Sequence, residues 1–173
     1  MSDFESASLE PGSFALISAA TSWHWLNPDT RFQVAARLIA HGGTLAVLWT
    51  WPHWRRTVLR TELDAAYDRS GAPLAEMGPM YSLEPDPSAL AQEWVAHTGE
   101  CGVFDEPRGK LCEWSVTYTA TGYSDLLGTY GDHIGLAPAV RAALLGGVEE
   151  IIEDAEGTIE LPYSTLLLLA RAA

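Results

Sequence analysis

An imidazole stands between two indoles at Trp23, His24 and Trp25. The ordinary pKa of histidine lies nearest neutrality, so His24 can serve as a general base for an oxygen or nitrogen nucleophile. The same ring can instead cap a helix start or pack between aromatics. Trp49 and Trp51 can wall a substrate pocket or belong to the core, with core favoured for Trp49. Asp132 and His133 can form a charge-oriented pair, although sequence neighbours rarely face each other on a helix. His97 and Cys101 have the i, i+4 spacing of metal ligands, but no second pair completes a site, so no metal centre is expected. Tyr81, Tyr118, Tyr123 and Tyr130 can line a cavity, and at helix and strand positions they more often pack.

The segments around these residues set where they can point. Phe14 to Ala20 is apolar without alternation, the pattern of a strand buried on both faces. Asn27-Pro28-Asp29-Thr30 supplies helix-start chemistry, Phe32, Ala35, Ala36 and Ile39 mark one helical face, and Gly42-Gly43 is expected to stop the helix. Thr44 to Trp49 is a second apolar run. Residues 13–50 therefore read as a βαβ unit with parallel strands. A helical pattern runs from Trp54 to Arg69, then an irregular stretch rich in glycine, proline and methionine from Gly71 to Asp86, then a helix capped by Asp86 and ending near Gly99. Residues 111–119 alternate as a strand. Thr121 is expected to cap a short helix, Pro138 to open a longer one closed by Gly157, and Thr158 to Arg171 to form the last strand, with an irregularity at Pro162.

These residues, in this order, resemble a known family. Gly12-Ser-Phe-Ala-Leu-Ile-Ser-Ala-Ala-Thr-Ser-Trp-His-Trp-Leu-Asn-Pro-Asp29 and Ala35-Ala-Arg-Leu-Ile-Ala-His-Gly-Gly-Thr-Leu-Ala-Val-Leu-Trp49 resemble the second half of class I S-adenosylmethionine-dependent methyltransferases, in the small-molecule, type 11-like branch. Tyr123 to His133 and the final strand fall where that family has a short helix and its last strand. The resemblance implies an α/β, partial Rossmann-like fold: a mostly parallel sheet of about four strands with an antiparallel C-terminal strand, flanked by helices. It implies S-adenosylmethionine as cofactor, with contacts at Ser18, Ala19, Ala20 and Thr21. It also places His24 beside the methyl-transfer site as a candidate general base, and Trp23, Trp25, Trp49 and Trp51 as candidate substrate contacts.

In that family a glycine-rich GxGxG turn and an acid on the following strand precede everything found here. Glycines there let the backbone reach the cofactor, and the acid holds the ribose hydroxyls. Neither occurs in this sequence. The chain thus resembles a methyltransferase lacking its N-terminal half, a single domain over 1–173 with a flexible lead-in (1–12), the βαβ unit (13–50), a helical insertion (53–100) and C-terminal strands and helices (101–173). Binding of the cofactor by this chain alone is then doubtful. Without those strands, Phe14 to Ala20 would be an exposed edge, a template for pairing. A homodimer or an N-terminal-half partner is expected to cover it. The alternatives are a non-catalytic dimerisation or regulatory module and a repurposed small-molecule-binding protein.

Composition narrows the partners. The chain has 173 residues, 47% hydrophobic and 19% charged, which excludes disorder as a global state. Its 10 Lys and Arg against 23 Asp and Glu give a net charge of −13 and leave no cationic groove, so nucleic acid and anionic membranes are not expected as partners. Most of that charge is borne by residues from Glu76 onward. Two cysteines without a CxxC pattern fit a reduced, cytoplasmic setting, and no apolar run reaches the ~20 residues a membrane helix needs.

Overall fold

The chain alternates helix and strand, and the structure, a computed structural model, describes residues 4–72 and 86–172. Among the described residues the strands are β1 (Phe14–Ala20), β2 (Ile39–Pro52), β3 (Phe104–Thr119) and β4 (Thr158–Ala172). They form one sheet in the order β1-β2-β4-β3. The helices are α1 (Arg31–Leu38), α2 (Arg60–Ser70), α3 (Pro87–Glu100), α4 (Ala120–Gly128), α5 (Gly131–Ile134) and α6 (Pro138–Asp154), with single 3-10 turns at Trp23–Trp25 and Trp54–Arg56. β1 and β2 are parallel, joined through α1, as the run–helix–run order predicts. β1 is not buried on both faces as its apolar run implied: all its residues are exposed or half-buried, because it lies at the edge of the sheet. β4 runs antiparallel to β2: Thr50 Oγ1 lies 2.9 Å from Thr165 Oγ1, and three residues on, the His53 N–H donates to the Pro162 carbonyl at 2.8 Å. Pro162 therefore sits inside a strand with its carbonyl engaged. The expected α/β sheet of four strands flanked by helices is what forms.

Gly42-Gly43 plays a different part from the one expected. α1 already ends at Leu38, with Ile39 extended, and the glycines lie within β2. Phe14 pairs with Ile39 and Leu16 with Thr44, so five steps of β2 oppose two of β1. Gly42 takes up the slack at φ 73°, a left-handed conformation that glycine adopts without strain. At Gly43 a Cβ would meet Ile39 Cγ2 at 2.6 Å and the Ala15 carbonyl oxygen at 2.9 Å. The pair makes the bulge that brings β2 back into register. Similarly, Thr119 caps α4 by accepting from the Gly122 N–H, in place of Thr121. α2 starts at Arg60, after the 3-10 turn, rather than at Trp54.

The described residues of Met1–Trp51, Pro85–Cys112 and Ser164–Ala173 form one compact unit, and those of Pro52–Glu84 and Glu113–Tyr163 a second. The first has its own core of Trp23, Phe32, Ala35, Val47, Trp49, Phe104, Leu166 and Leu168, among others. α1 contributes a stripe at 31, 32, 35 and 38, the spacing of one buried helical face. The second unit packs Leu63, Ala66 and Tyr67 of α2 and Tyr123 and Leu127 of α4 with Leu144, Val148 and Ile152 of α6. Tyr81 and most of the irregular stretch after Gly71 lie outside the described residues.

Candidate functional site

In the first unit, the C-terminal ends of β1 and β2 lie side by side, Ser18 opposite Ala46, Ala19 opposite Val47 and Ala20 opposite Leu48. Ser18, Ala20 and Thr21 are exposed and Ala19 is half-buried. Thr21 leaves the strand at φ 48°, with its N–H donated to the Leu48 carbonyl at 2.8 Å. A threonine in this left-handed conformation carries strain that the bond to Leu48 offsets. The next residues form the 3-10 turn. Trp23 is buried, its ring edge-on to Phe32 at 5.4 Å, whereas His24 and Trp25 are exposed with ring centroids 4.9 Å apart. Trp25 is 81% exposed. Trp49 is buried against Trp94 at 4.4 Å, and the half-buried Trp51 packs on the same core. His24 and Trp25 thus come together at the surface, while Trp23 and Trp49 take up core positions.

A methionine-derived cofactor would need backbone donors in a glycine cradle and an acid facing its ribose. The described residues at the end of β1 offer exposed backbone at Ser18 and Ala20 and a hydroxyl at Thr21, but neither a cradle nor an acid. They can form one wall of such a pocket and do not by themselves hold the group.

Arg31 was not singled out by sequence. It occupies the first position of α1 and lies on that helix's buried stripe, which is the signal that could have found it. Its guanidinium carbon sits 5.0 Å from the Trp94 ring centroid, 5.5 Å from Phe32 and 5.9 Å from Trp23. Nη1 donates to the Trp23 carbonyl at 3.2 Å, and Nε is buried without an acceptor. Desolvation lowers its pKa from the usual guanidinium value.

The second unit holds a polar cluster. His133 is fully buried, its Nδ1 3.0 Å from Asp132 Oδ1 and its Nε2 2.7 Å from the Tyr67 hydroxyl. An ionised carboxylate only accepts, so Nδ1 carries the proton, and in the neutral ring Nε2 accepts from the Tyr67 O–H. Sequence neighbours do meet here, because α5 is a four-residue helix and the Asp132 carboxylate folds back to accept from the His133 backbone N–H as well. Nearby, Trp54, Arg60, Asp64, Tyr67 and Tyr123 help line a cavity of about 10 Å³, room for about one water. Tyr118 and Tyr163 hydroxyls lie 3.0 Å apart. Burial pushes the Tyr123 phenol well up, with further push from Tyr67, Tyr130 and Tyr163. Burial, helped by Tyr118 and Asp132, raises Tyr130 to about 12, and burial together with the Tyr118 hydrogen bond raises Tyr163.

His97 is exposed and stacks on Trp94 at 5.8 Å, and the Cys101 Sγ–H donates to the Thr98 carbonyl. Among the described residues no three His, Cys, Asp or Glu side chains group as metal ligands, and no helix is long and apolar enough to cross a membrane.

No protein-family model matches the sequence, and no curated protein matches it. Solved structures do. A protein from Anaeromyxobacter dehalogenans described as a type II methyltransferase superposes on 98% of this chain and 69% of its own, with TM-score 0.57 and 18% identity. The YcgJ protein from Bacillus subtilis covers 99% of this chain and 69% of its own, with TM-score 0.50 and 14% identity. At such identities the likeness is one of fold. The α/β sheet described above is therefore the Rossmann-like fold seen in methyltransferase structures.

Proposed function

We propose that this chain takes part in S-adenosylmethionine-dependent methyl transfer to a small molecule and needs a complementary half, an N-terminal-half partner or a second copy, to do so. The observation that carries the reading is the state of β1. It is an edge strand of a methyltransferase-like sheet, yet no residue in it is fully buried, and Phe14 and Leu16 are 36% and 56% exposed. An apolar strand with an open edge and uncovered faces is a surface built for pairing. An N-terminal-half partner along β1 would add a wall facing Ser18 to Thr21 and supply the glycine turn and the ribose-binding acid, whereas a second copy, which carries neither motif, would add only the wall. His24 would then stand at the mouth of the pocket as general base, with Trp25 and Trp51 against the substrate. In this family catalysis is largely orientation of an in-line transfer, so a half pocket would lose most of the rate.

Sedimentation of the chain with S-adenosylmethionine, read at the adenine absorbance, tests the reading. Cofactor should travel with an associated species and not with the monomer. Cofactor absent from every species, including complexes assembled with a glycine-motif-bearing half, would overturn it.

A further inference from the structure

We propose that Arg31 is the anchor for an oxyanion, a carboxylate or phosphate, on the small molecule that this chain binds. Burying an arginine without an acid is costly, because the lost hydration is repaid only by a paired charge or a full set of acceptors. Arg31 is 5% exposed, and among the described residues its hydrogen bonding consists of the single contact from Nη1 to the Trp23 carbonyl, with no carboxylate paired to it.

The contacts it does make constrain which donors remain. Trp94, Phe32 and Trp23 surround the guanidinium with aromatic rings at 5.0–5.9 Å, which attract its charge but offer no acceptor to its N–H groups and so leave the hydration loss only partly offset. Nη1 is turned to the Trp23 carbonyl, so Nε, buried without an acceptor, and Nη2 are left as an adjacent pair. Two parallel N–H groups on one edge of the guanidinium form the fork that a carboxylate or phosphate takes bidentately. In a chain of net charge −13, a buried fixed cation also gives an anionic ligand one favourable place to settle. The lowered pKa has the same origin in burial, and an anion on the fork would reverse it. The site adjoins Trp23, at the start of the Trp-His-Trp turn, and does not depend on methyl transfer.

The test uses formate and inorganic phosphate as probes, against chloride at constant ionic strength. The Arg31 Nε–Hε NMR resonance should shift saturably with one or both oxyanions, and thermal unfolding should move upward in parallel. Arg31→Met should weaken the oxyanion at least about tenfold, the loss of a charge-assisted bidentate contact. Arg31→Lys, which keeps the charge without the fork, should fall between. If Arg31→Met does not fold, the wild-type resonance and the lysine variant still decide the matter. An Nε–Hε resonance indifferent to both oxyanions, or equal oxyanion responses in wild type and lysine variant, would overturn the proposal.

Discussion

At the residue scale, burial separates side chains that sequence treats alike. Trp23 and Trp25 flank the same histidine, yet one is 1% and the other 81% exposed. Trp23→Ala should cost about 3–5 kcal/mol, as for other large aromatics removed from a core, and Trp25→Ala less than about 0.5 kcal/mol, both read from denaturant midpoints. The Tyr67–His133–Asp132 chain gives a second test: Tyr67→Phe removes the 2.7 Å hydrogen bond to a buried ring and should destabilise by about 1–2 kcal/mol with little change in shape. The hydrophobic fraction excludes disorder but does not say which indole would be inside. That depends on the 3-10 turn, a conformation too short to leave a period in the sequence. Arg31 was hidden, and the Asp132–His133 pair disfavoured, for a related reason. A charged residue at a helix start reads as solvent-facing, and adjacent residues read as divergent, until the local backbone is known.

At the element scale, strands and long helices were legible and their ends were not. The apolar runs of β1 and β2 announced a parallel pair, which forms. The glycine pair read as a helix stop works instead as a bulge, because the register of a strand pair is a long-range property that no local pattern encodes. β1 is where element and function meet. Leu16 is more than half exposed, so Leu16→Lys should leave the stability of the lone chain nearly unchanged, within about 0.5 kcal/mol. A lysine on an edge strand opposes pairing. In sedimentation it should therefore abolish any self-association or complementation that wild type shows, and an associated state that survives it would place the interface elsewhere.

On the scale of the whole molecule, the buried phenols tie stability to pH. Tyr130 is raised from 10.0 to about 12, and Tyr123 and Tyr163 are raised as well. The folded state holds these protons more tightly than the unfolded chain. Their contribution is complete below about pH 10 and is lost as pH rises toward 12 and beyond, so unfolding midpoints should fall across that window while phenolate absorbance lags behind that of free tyrosine. The fold itself was largely foreseeable: the order of apolar runs and caps gives the βαβ unit, and the resemblance of residues 12–49 to methyltransferases implies the rest of the sheet. The candidate pocket was less so, since its lining depends on what meets β1. The most direct measurement is calorimetric titration of S-adenosylmethionine into the chain at a concentration where sedimentation shows it monomeric. The account predicts no saturable heat from the monomer, and saturable micromolar binding by that monomer would contradict it.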